Sequence, residues 1–120
     1  MKQLSTILIT LVAIEHLYIL YIEMFAWTTI GKKTFRKFPA ELFEKTKLLA
    51  ANQGLYNGFL AAGLIWSLLI SNTDWSHYTA YFFLSCVITA GLYGGLTTSK
   101  SIFVIQAIPA ILALLVTRFA

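Results

Sequence analysis

Four apolar runs, at roughly residues 4–30, 48–70, 78–96 and 102–119, fill most of this chain and are joined by short polar connections. Each is close to the ~20 residues an α-helix needs to cross the hydrocarbon core of a bilayer. The last two are separated only by TTSKS (97–101). In lipid every backbone amide must find its partner inside the protein, which leaves helices or closed barrels. A barrel would require short alternating strands between turn signals, and the runs contain none. The pattern predicts an all-α fold, an integral membrane four-helix transmembrane bundle forming one domain over residues 1–120.

Composition agrees. Of 120 residues, 58% are hydrophobic and 12% charged, against the ~25% charge usual in soluble domains. Cys86 is the lone cysteine and lies within an apolar run, so neither a disulfide framework nor a cysteine-based zinc motif is available. The first run is too long for a secretory signal, carries Glu and His, and is not followed by an A-x-A-like site; it is expected to persist as a helix.

The net charge of +4 would suggest nucleic acid were it dispersed, but six of the nine basic residues lie between Lys32 and Lys47. They fall in GKKTFRKFPAELFEKTK (31–47), whereas SNTDWSH (71–77) has no Lys or Arg. By the positive-inside rule the basic connection faces the cytoplasm and both termini lie outside. The expected partner is the lipid bilayer, with no nucleic acid. Trp27, Trp66, Trp75 and Tyr78 fall near run ends, as an interfacial aromatic belt requires. Within the basic connection Phe35, Phe38, Leu42 and Phe43 can share one side, which predicts a short interfacial helix from near Pro39. The plain reading is a retention loop against anionic lipid; a docking site for a headgroup or protein is the sharper one.

Polar residues within the runs carry the functional information. AIEHLYILYIEMFAW (13–27) holds Glu15, His16 and Glu23. At ~100° per residue the three fall within about 100° of one another. Charges facing lipid are costly, so this face is expected to look inward. In NQGLYNGFLAAG (52–63), Asn52, Gln53, Tyr56 and Asn57 span about 140°. The third run groups Ser85, Cys86, Thr89, Tyr93 and Thr97, and the fourth lines up Gln106, Ala110, Ala113 and Thr117 beside Pro109. With the runs alternating in direction, these side chains converge in the cytoplasmic half. The expected site is a polar pocket of Glu15, His16, Glu23, Asn52, Gln53, Tyr56, Asn57, Tyr93 and Gln106.

Buried amides and hydroxyls can also be plain interhelical glue, and Ser and Thr can bond their own helix carbonyls. Two carboxyls and an imidazole are harder to explain so, because ionisable groups at membrane depth are usually functional. They do not form a metal site by themselves. His16 has no ligand three or four residues away, and Glu23 stands about 10 Å along the axis. No metal or other cofactor is expected. Cys86 and the serines lack a visible base, so nucleophilic catalysis has no support. Proton handling fits the trio, either in moving a solute or as general acid and base. The leading expectation is binding or transport of a small polar or ionic solute, with homo-oligomers accommodating so small a chain. A membrane-embedded acid/base enzyme of isomerase type comes second, and a structural or accessory role third. GLYNG (54–58) and GLYGG (91–95) both show the G-x-x-x-G spacing that lets membrane helices approach closely.

EHLYILYIEMFAW, NQGLYNGFLAAGL, GLYGGLT and VIQAIPAILAL together resemble the small four-helix bacterial membrane proteins of domain-of-unknown-function family 1304. The resemblance covers nearly the whole chain. It implies a multi-pass protein of the bacterial cell membrane and brings no established activity. It also implies that Glu15, His16, Glu23, Asn52, Gln53, Asn57 and Gln106 belong to the family pattern.

Overall fold

The computed structural model describes residues 1–120, and the chain is helical almost throughout, with no strand. Helix α1 spans Lys2–Phe25, and a π-helical turn follows at Trp27–Gly31. Two short helices, α2 (Lys32–Thr34) and α3 (Ala40–Lys45), make up the basic connection. Helices α4 (Lys47–Leu69) and α5 (Thr73–Thr97) come next. The final stretch runs through α6 (Lys100–Ile102), a second π turn (Phe103–Ala107) and α7 (Ile108–Arg118). Three stretches are long and apolar enough to cross a membrane: Lys2–Phe25, Thr73–Thr97 and Lys100–Arg118. Helix α4 has the length, but Asn52, Gln53 and Asn57 dilute its apolar character. Outward-facing Leu48, Leu69 and Leu96 are each more than 75% exposed, a surface suited to lipid rather than water.

The helix boundaries have local causes. Asn72 caps α5 by accepting from the Trp75 amide at 3.0 Å, and Asp74 in the first turn complements the helix dipole. These two residues start the helix at Thr73, before its apolar run begins. Pro39 precedes α3, where its missing N–H costs nothing. Proline at position 109 would clash with the carbonyl four residues back in a regular helix. The turn just upstream is π-helical, with Ile108 N–H bonded to the Phe103 carbonyl, a local adjustment of the kind that accommodates proline in apolar helices. In the other π turn, Gly31 N–H reaches the Ala26 carbonyl at 2.8 Å.

The chain forms two compact units, Met1–Ile14 with Leu60–Ala120, and Glu15–Phe59. The first has a core of Ile9, Val12, Ala13, Leu64, Ala80, Leu84, Val87, Ala110 and Ala113. Along α5 the buried positions Ala80, Leu84, Val87 and Gly91 recur every three or four residues, which keeps them on one face. Small side chains meet them: Ala107, Ala110, Ala113 and Thr117 are completely buried. A Cβ added at Gly91 would sit 2.8 Å from both the Cβ and the backbone N of Ala107, so the glycine permits backbone-to-backbone approach. The hydroxyls of Ser5 and Thr117 meet at 2.6 Å. Ser76 donates to the Ser67 carbonyl at 2.6 Å, fastening the connection between α4 and α5.

The second unit packs the latter part of α1 on the first part of α4. A Cβ on Gly54 would come within 2.7 Å of Met24 Cγ and 3.0 Å of Glu23 Cβ. One on Gly58 would come within 2.6 Å of Leu20 Cδ1. Both G-x-x-x-G stretches therefore lie at helix contacts within the chain. Beyond them, Phe43 is buried beneath Trp27, with ring centroids 5.0 Å apart.

Candidate functional site

The contact between α1 and α4 follows from small residues. Ala50 and Gly54 are buried and Gly58 half-buried on one face of α4, at i, i+4 and i+8. Asn57 sits at the edge of that face, about 60° round. From there its Nδ2 donates to Glu23 Oε1 at 2.7 Å and to the Gln53 carbonyl of its own helix at 3.2 Å. The first is the shorter of the two. Gly54 makes it possible, since any side chain there would push the two helices apart at the level of Glu23.

No hydrogen bond within the protein uses Glu23 Oε2 or Asn57 Oδ1. Each member of this half-buried pair thus keeps an acceptor available to a cation or to a solute bearing donors. Two turns earlier on α1, His16 is fully buried and Glu15 half-buried. Glu15 Oε1 is shut off from solvent and accepts no hydrogen bond. Glu15 lies about 12 Å along the axis from Glu23, so one small ion cannot contact both. No three His, Cys, Asp or Glu side chains gather closely enough to share a metal ion.

The remaining sequence candidates are on α4 and in the first unit. Asn52, Gln53 and Tyr56 are exposed, with Asn52 and Tyr56 on the side of α4 away from its buried glycines. In the first unit, Tyr93 is 70% exposed and Gln106 half-buried. The structure thus brings Glu23 and Asn57 together and leaves Asn52, Gln53, Tyr56 and Tyr93 at the surface. Threonines of the apolar runs bond their own helices, as Thr89 does to the Ser85 carbonyl at 2.8 Å and Thr97 to that of Tyr93 at 2.7 Å.

One feature not anticipated from sequence is an open aromatic groove of about 300 Å³ in the first unit. It is lined by Trp66, Trp75, Tyr78, Thr79, Phe82 and Phe83. In the sequence its tryptophans and Tyr78 read only as interface markers.

An all-helical chain with three helices able to cross a membrane is membrane-associated by class. Residues 10–118 match the family described as "Protein of unknown function (DUF1304)", and the chain belongs to that family. It is similar to "Uncharacterized protein YpaA" of Lactococcus lactis subsp. lactis (strain IL1403). The two are 39% identical over 123 aligned positions, covering 99% of this chain and all of that protein. No solved structure matches.

Proposed function

We propose that this is a four-helix, multi-pass protein of the bacterial cell membrane that binds and moves a small polar or ionic solute. In this reading α4 is the fourth span. Its amides, which weaken its apolar character, are the price of a function at membrane depth. The charge distribution favours both termini outside and the 32–47 connection in the cytoplasm. Copies of the chain associate, giving so small a bundle enough surface to enclose a path.

The observation that carries the reading is the Glu23–Asn57 bond of 2.7 Å, with two further acceptors beside it left unused. A carboxyl held by one amide on a glycine-lined contact is a recognition point for a cation or hydrogen-bond donor. Glu15 and His16, further along the same helix, are placed to take up or release protons as the solute passes. The site proposed is confined to these four residues.

The test is uptake of small cations and polar solutes by proteoliposomes under an imposed gradient. At least one solute should enter, and Glu23→Gln should abolish its entry while Tyr18→Phe, an exposed position on α1, should not. Equal uptake by Glu23→Gln and the unaltered protein would sink the assignment. Chemical conversion of a solute without any gradient would point instead to an enzyme.

A further inference from the structure

The residues from Trp27 to Lys47 form a built element rather than a slack connection. Trp27 packs on Phe35 and Phe43, with ring centroids 5.6 and 5.0 Å away, and Phe38 contacts both phenylalanines at 6.2 and 6.4 Å. Phe43 at the centre is 1% exposed. Trp27 Nε1 donates to Thr46 Oγ1 at 3.0 Å, and that hydroxyl donates to the Leu42 carbonyl at 2.8 Å. The backbone closes on itself through Phe35 N–H to the Gly31 carbonyl and Phe38 N–H to that of Phe35.

On this aromatic base stand Lys32, Lys33, Arg36, Lys37, Lys45 and Lys47, all exposed except the half-buried Lys32. Two carboxylates, Glu41 and Glu44, share the segment, leaving six positive against two negative, or +4. The rest of the chain has three basic residues and three acidic ones, so the entire net charge resides here. No cation of the segment is engaged in an ion pair with either glutamate. Arg36 is held by its Nε, which donates to the Lys33 carbonyl at 3.0 Å. That leaves its two terminal nitrogens free to grip paired oxygens in the fork geometry that suits phosphate. Exposed apolar side chains lie alongside: Phe38, Leu42, Leu48 and Leu49. Cations beside outward-facing apolar groups match a phosphate layer lying over acyl chains.

We infer that residues 32–47 form a binding platform for anionic phospholipid headgroups, with Lys32, Lys33, Arg36 and Lys37 as its charged edge and the Trp27–Phe43 cluster holding that edge in shape. The platform uses no residue of the solute site, so it stands or falls separately from it. An acidic protein segment would satisfy the charge but not the flanking leucines and phenylalanines.

The test melts the full-length protein, purified in a mild non-ionic detergent, with phosphatidylglycerol or phosphatidylcholine added to the micelles. Phosphatidylglycerol should raise the melting temperature and phosphatidylcholine should not. Replacing Lys32, Lys33, Arg36 and Lys37 together by Gln should weaken phosphatidylglycerol binding about fivefold per charge, abolishing the shift. A preference unchanged in that variant would overturn the platform. On the unaltered protein, raising salt from about 0.05 M to about 0.5 M should erase most of the preference, because these charges are exposed; a salt-independent preference would equally overturn it. Inorganic phosphate or an oligo-aspartate peptide that shifts melting as strongly as phosphatidylglycerol would show a free-anion or protein site instead.

Discussion

Asn57 on α4 donates to Glu23 on α1 across 2.7 Å and 34 residues of sequence. The bond forms where Gly54 lets the two helices touch. Interhelical hydrogen bonds in membranes contribute roughly 0.6 kcal/mol on average and at most about 1.7. Asn57→Ala is therefore expected to lower the unfolding free energy by about 1 kcal/mol, measured by titration with a denaturing detergent. A loss near 3 kcal/mol would mean that the pair holds the unit together, and that the unused acceptors beside it are incidental.

Two glycines that look equivalent in sequence should respond differently to alanine. Each substitution gains about 1 kcal/mol of helix propensity. At Gly58 the new methyl meets only the flexible end of Leu20, which can rotate aside. At Gly91 it meets the backbone and Cβ of Ala107, which cannot. Overpacking of that kind costs about 1–3 kcal/mol. Gly58→Ala should thus be neutral or slightly stabilising, and Gly91→Ala should be the less stable of the two, destabilising by up to about 2 kcal/mol net. Melting of the two variants side by side checks the ordering.

The hydroxyl pair in the first unit has a direction. Thr117 donates its proton to the Ala113 carbonyl at 2.7 Å, so Ser5 is the donor in the 2.6 Å contact between them. Thr117→Val then strands a buried donor on Ser5, whereas Ser5→Ala removes the donor itself. Stranding a buried polar group costs about 1–3 kcal/mol, so Thr117→Val should be the more destabilising change. Equal losses would mean that the bond runs the other way or does not contribute.

Much of this architecture is legible in the sequence, for a physical reason. Runs of lipid-crossing length tolerate little besides helix, so the all-helical character follows directly from the apolar pattern. Asn72, Asp74 and Pro39 mark helix starts by chemistry that acts over three or four residues. The π turns are less visible. Proline at 109 announces a disturbance, but not that the chain accommodates it with a π turn at Phe103–Ala107. The site shows the same division. Helical projection groups Asn52, Gln53, Tyr56 and Asn57 as a polar stripe, yet which face of α4 turns inward is decided by backbone approach at Gly54 and Gly58. That choice leaves Asn57 beside Glu23 and turns Asn52 and Tyr56 outward. Projection gives angles between residues, and packing gives the origin from which they are counted.

The most direct measurement is the melting temperature of Glu23→Gln beside that of the unaltered protein, each scanned against small cations and polar solutes. Glutamine keeps the shape and can still accept from Asn57, so the variant alone should melt within about 2 °C of the unaltered protein, well under 1 kcal/mol. At least one solute should raise the melting temperature of the unaltered protein and leave Glu23→Gln unmoved. A variant that melts far lower, together with no solute that stabilises the unaltered protein, would contradict a solute site at Glu23 and make the pair a structural tie.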